Sequence, residues 1–160
     1  MLDHRKHDFR LSLLDQSIFR EALDRALAAG PSHIGEDCRA PRRFGSARHA
    51  LLQLFEDDAR PHFFDLLVHL PEGDFGPEQE RGARELFDHL VAMDDAACAL
   101  PSEYDEDEEL AAIFFYPAQG EAVFSYFSNL WNTEWFVAFA RTGEGVWECL
   151  GIPKPGELTG

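Results

Sequence analysis

The sequence predicts an α+β domain in which helices come first and an antiparallel sheet follows. Three observations carry that prediction. Apolar residues recur at helical spacing through most of the first hundred residues, and near residue 110 the period falls from 3.6 to 2. The segments beyond that point are joined by turns too short for anything but antiparallel neighbours. A chain of 160 residues suits one domain spanning 1–160. At that length roughly 68–70% of the unfolded surface is buried, enough to hold a core without disulfides or metal.

The first helix is read in "DQSIFREALDRALAAGP". Leu14, Ile18, Ala22, Leu23, Ala26 and Leu27 share a stripe, Asp15 or Ser17 is placed to cap the start, and Gly30–Pro31 ends it. "SHIGEDCRAPRRFG" reads as a loop. "SARHALLQLFEDD" is predicted as a second helix with Ser46 as N-cap, because Ala47, Ala50, Leu51, Leu54 and Phe55 fall at i, i+3, i+4, i+7 and i+8. "HFFDLLVHL" is apolar nearly all round and is predicted as a buried helix. "GPEQERGARELFDHLVAMDDAACAL" is the clearest helix, with Pro77 at its first position and Glu78 and Glu80 in the first turn, where carboxylates favour the dipole. Gly82 weakens it slightly. The helical part thus covers about 15–100.

Four strands are predicted over about 110–152: "LAAIFFYP", "EAVFSYFSNLW", "TEWFVAFAR" and "GVWECLGI", separated by "AQG", "NT" and "TGEG". Such a four-stranded antiparallel meander, packed on the N-terminal helices, needs only one apolar face. This one carries apolar residues on both: Phe136 opposes Trp135, Val137 and Phe139, and Phe124 and Tyr126 oppose Val123 and Phe127. Either helices cover both faces or one face meets a partner. Tyr126, Trp131 and Trp147 are the candidate partner-facing aromatics.

Charge is the strongest global property. Fourteen basic residues face thirty acidic ones, for a net charge of −16. Such a surface repels nucleic acid and anionic lipid, so neither is an expected partner. Cys38, Cys98 and Cys149 are an odd number, which argues for a reducing compartment. The N-terminus has no apolar leader and no apolar run approaches the ~20 residues of a membrane span, so a cytoplasmic location is expected.

Three constellations invite chemistry. His62, Asp65 and His69 fall at i, i+3 and i+7 and would share a face if helical, with donor types that suit zinc. The spacing matches no standard zinc signature, and they read better as the polar edge of a buried helix. No metal and no cofactor is expected. "CRAPRRFGSAR" clusters basic residues at the predicted helix start, making Arg42, Arg43, Ser46 and Arg48 a candidate anion site. Cys38 beside Arg39, with His49 as base, is the corresponding nucleophile reading; internal pairing of the arginines with carboxylates is the plainer one. No GxSxG, phosphate loop or dinucleotide fingerprint occurs, which argues against a common enzyme class.

The third constellation is "EYDEDEE", residues 103–109, with six carboxylates in seven positions. Blocks of like charge are usually solvated connectors. The functional reading is an acidic patch that steers a basic partner, formed by Glu103, Asp105, Glu106, Asp107, Glu108 and Glu109 with Tyr104 as anchor. A calcium loop is disfavoured because the glycine-centred pattern is missing.

In "SEYDEDEE" and "FSYFSNLWNTEWFVAFARTGEGVWECLGI" the chain resembles bacterial immunity proteins, the antidotes to contact-delivered toxins. The likeness is one of character over residues 103–152, with no motif that carries a residue's role across. It implies tight binding to a toxin domain, blocking its active site or a surface it needs; the acidic charge of this chain makes a basic toxin domain the expected partner. An adaptor or chaperone-like interaction module, and a small anion-binding or enzymatic domain built on the arginine loop, are the alternatives.

Overall fold

The computed structural model describes residues 11, 16–36, 48–55, 62–71, 74–100, 108–128 and 133–152. Their order is α1 (Gln16–Ala29), β1 (His33–Glu36), β2 (Arg48–Phe55), β3 (His62–His69), α2 (Pro77–Phe87), α3 (Leu90–Cys98), β4 (Glu108–Tyr116), β5 (Glu121–Ser128), β6 (Thr133–Arg141) and β7 (Trp147–Gly151). The fold is α+β, and the sheet has seven strands rather than four, in the order β1 to β7. All neighbours are antiparallel except β3 and β4, which run parallel. A parallel pair needs a long crossover, and α2 and α3 supply it.

The C-terminal meander has its expected order, with β4 to β7 following one another across the sheet. The two middle helices of the sequence reading are corrected to strands β2 and β3. In "RHALLQLF" both periods fit, but Ala50, Leu52 and Leu54 are buried on one side of the sheet and Gln53 and Phe55 are exposed on the other. From Phe64 to His69 the strand is buried on both faces because it is central, and a short run that is apolar nearly all round has little periodicity with which to tell strand from helix. Within the expected loop, His33–Glu36 adds a short edge strand.

The helices follow the local signals. At the end of α1, Gly30 adopts φ 82° and donates its N–H to Ala26 O at 3.0 Å, a left-handed cap open to glycine. Pro77 opens α2, and the side chain of Gln79 accepts from Gly76 N–H at 2.8 Å. The single long helix expected over 76–100 is broken at Asp88–His89, where His89 has ψ 4°. Gly82 has a packing role: a Cβ there would lie 3.3 Å from Phe115, so glycine lets α2 lie close on β4.

The three described helices pack on one face. The main core joins Phe19 and Leu23 of α1, Leu86 and Phe87 of α2 and Met93 of α3 to Leu66, Ile113, Phe124, Val137 and Phe139 of the sheet. Burying each such side chain is worth roughly 1.5–3 kcal/mol. The opposite face, here called the outer face, carries a second cluster of Leu67, Ala112, Phe114, Tyr116 and Val123, to which no described helix contributes. Cross-helix ion pairs, Arg20–Asp88 at 3.2 Å and Arg84–Asp24, lie between α1 and the end of α2 on the surface.

Candidate interaction surface

Strand register decides which side chains share the outer face. Three rows run across β4, β5 and β6: Glu109, Phe127 and Glu134; then Ala112, Ser125 and Phe136; then Phe114, Val123 and Ala138. Glu109 and Glu134 are exposed and flank the half-buried Phe127. Ser125 donates to Glu134 Oε2 at 3.3 Å, holding that carboxylate beside Phe136. The acidic run therefore ends inside β4, and its last carboxylate opens a face on which aromatics alternate with acids. Residues 103–107 and Trp131 lie outside the described residues, as does the side chain of Glu108.

Tyr126 is corrected from a partner-facing residue to a core one. It is 2% exposed, stacks on Trp135 with centroids 5.1 Å apart, and donates its hydroxyl to Asp94 Oδ1 at 2.6 Å. Asp94, also buried, accepts the Leu11 N–H through Oδ2 at 3.0 Å. This carboxylate ties α3, β5 and the segment at Leu11 together, and charge-assisted bonds of this kind are the strong ones. Nothing in the sequence distinguished Asp94 from its neighbour Asp95; only the facing tyrosine does. Trp147 is half-buried on the helix side of β7, against Phe115 at 6.3 Å.

The proposed ligand face of His62, Asp65 and His69 does not exist, because the segment is a strand. Asp65 and His69 share the outer face, but four residues at about 3.3 Å each set them roughly 13 Å apart, too far to share one ion. No group of three or more metal-type side chains occurs among the described residues. His69 instead faces His49 directly across β2–β3, and the two imidazoles meet Tyr116 at 5.2 and 5.9 Å in a buried box. His49 is thus part of the packed outer face.

Of the arginine cluster, only the expected helix start is corrected. Arg42, Arg43 and Ser46, with Cys38, lie outside the described residues, and Arg48 begins a strand rather than a helix. A strand has no cluster of free N–H groups at its start of the kind a helix N-terminus offers.

Among the described residues no helix is long and apolar enough to cross a membrane. Compared with protein-family models, with curated proteins and with solved structures, the chain finds no match in any of the three.

Proposed function

We propose that this chain is an acidic protein-binding protein that neutralises a bacterial toxin by direct contact, as immunity proteins do. The observation that carries the reading is the row Glu109, Phe127, Glu134 on the outer face, whose Glu109 is the last residue of the acidic run and whose Glu134 is next to Phe136. A surface of this kind suits a basic protein: carboxylates steer the encounter and half-buried aromatics supply area that can be desolvated. The net charge of −16 works in the same direction over longer distances. A cytoplasmic setting fits an antidote that must meet its toxin inside the cell.

Co-expression tests the proposal. A basic toxin domain encoded next to this chain, induced in a sensitive host, should arrest growth alone and permit growth when this chain is present. The purified pair should bind with an affinity that falls as salt rises. Continued arrest with both proteins soluble and abundant would refute the reading.

A further inference from the structure

We infer that β7 is a docking edge, and that its occupant is an extended apolar segment of the partner that carries one basic residue at the place opposite Glu148. The inference rests on the protein-binding reading above and names the place and chemistry of contact.

The sheet has two edges, β1 and β7. The β1 edge has four residues and one exposed large apolar side chain, Ile34. The β7 edge is different. Val146 is 56% exposed, Leu150 50% and Ile152 49%, and these are three of the five exposed large apolar residues among those described. Exposure alternates along the strand: Glu148 and Leu150 point to solvent while Trp147 and Cys149 are half-buried. Exposed apolar side chains along a strand edge normally invite another strand, and natural edges are usually blunted against it.

The backbone supplies the second half of the argument. Thr142 N–H donates to the Val146 carbonyl at 2.8 Å, and the ladder continues with Glu148 opposite Ala140. In an antiparallel ladder the residues between such pairs turn their N–H and C=O outward. Trp147 is such a residue, Cys149 opposite Phe139 is the next one before the register shift to Ala138 and Gly151, and no described residue bonds the outward groups of either. An added strand would satisfy them, with its side chains falling beside Val146, Glu148 and Leu150.

Charge selects the occupant. Glu148 stands between Val146 and Leu150, and Glu144 lies in the adjoining turn. A second copy would bring another −16 and place acids near acids, whereas a lysine or arginine beside Glu148 would be paired. The complement of Val-Trp-Glu-Cys-Leu at this edge is therefore an apolar–basic–apolar strand.

The test uses the full chain, labelled with nitrogen-15, and two capped eight-residue peptides of valine and threonine, one with a single central lysine and one with a single central glutamate. Amide exchange at Trp147 and Cys149 should slow at least tenfold with the lysine peptide and stay unchanged with the glutamate peptide. Leu150→Lys should abolish the protection. Cys149→Pro should do the same, since it deletes an outward donor that the sheet does not use. Equal protection by both peptides, or none by either, would overturn the inference. So would slow exchange without peptide that tracks dimer formation in sedimentation, which would give the edge to a second copy. The two readings fail separately. If Leu150→Lys and Cys149→Pro still rescue growth against the toxin, the edge is wrong and the neutralising role stands. If the lysine peptide protects as expected but no rescue occurs, the edge stands and the toxin reading falls.

Discussion

Over β2 to β4 the outer face carries Leu67, Phe114 and Tyr116, each no more than 1% exposed. Over β5 to β7 the outer face carries Phe127, Phe136, Glu134 and Glu148, half-buried or exposed. One face of one sheet is thus core at its centre and surface toward β7. The difference in residue type is small, since aromatics occur in both regions. What separates them is an exposed carboxylate beside the aromatics in the second, Glu134 and Glu148, where the carboxylate of the first, Asp65, is buried. A carboxylate is rarely buried without a partner, so an exposed one marks where the apolar face stays in contact with water.

The largest expected effect tests that division directly. Phe114→Ala should cost about 3–5 kcal/mol, the value of a buried aromatic in a region that cannot collapse. Phe136→Ala, on the same face but half-buried, should cost about 1 kcal/mol. Urea denaturation of the two variants measures both. Equal losses would mean that the two regions are one continuous core and that β5–β7 offers no open surface.

A second pair of variants compares two hydrogen bonds one residue apart on β5. Tyr126 points to the helices and bonds Asp94, which is 1% exposed; Ser125 points outward and bonds the exposed Glu134. Asp94→Ala strands a buried hydroxyl and the Leu11 N–H, so a loss of about 3 kcal/mol is expected. Ser125→Ala leaves a carboxylate that water can solvate, so the loss should stay below about 1 kcal/mol. Thermal or urea unfolding that ranked Ser125→Ala above Asp94→Ala would contradict the assignment of inner and outer faces.

The same contrast explains what could be read from the sequence. The C-terminal strands were legible because "EAVFSYFS" and "TEWFVAFAR" are rich in aromatic and β-branched residues and bounded by short turns. The helices at 16–29 and 77–87 were legible from their caps, Gly30 and Pro77. β2 and β3 were not. Leucine and alanine favour helices, the apolar positions of "HALLQLF" satisfy both periods, and only partners distant in sequence decide. The parallel pairing of β3 with β4 was hidden for the same reason. At the surface, the acidic run could be read as a feature of charge, but its neighbours could not. Phe127 and Glu134 join Glu109 only through the register of two strand pairings. The inward side of Tyr126 is not legible in the sequence, because a strand with large side chains on both faces does not say which face the helices take.

The smallest expected effect on stability is the one that bears most on function. Glu109 and Glu134 are exposed, so Glu109→Gln with Glu134→Gln should change the unfolding free energy by no more than about 0.5 kcal/mol. Neutralising Glu106, Asp107, Glu108 and Glu109 together should also leave the midpoint similar or raise it, since it relieves repulsion among neighbours in the run. Association should respond differently. Exposed charges act over about a Debye length, roughly 8 Å at physiological salt, and bias the encounter before contact. Charges at the rim of an interface mainly set the on-rate and its salt dependence, whereas buried hydrogen-bonded pairs mainly set the off-rate. Both variants should therefore bind the proposed basic partner with a slower on-rate, a flatter dependence on salt and a nearly unchanged off-rate. Stopped-flow mixing at several salt concentrations measures all three. Phe136→Ala should do the reverse, raising the off-rate and leaving the salt slope alone, because it removes area and no charge. Should the charge variants keep the parent on-rate and slope, the carboxylates along β4 and β6 would serve solubility alone, and the open half of the outer face would have to bind through its aromatics without electrostatic steering.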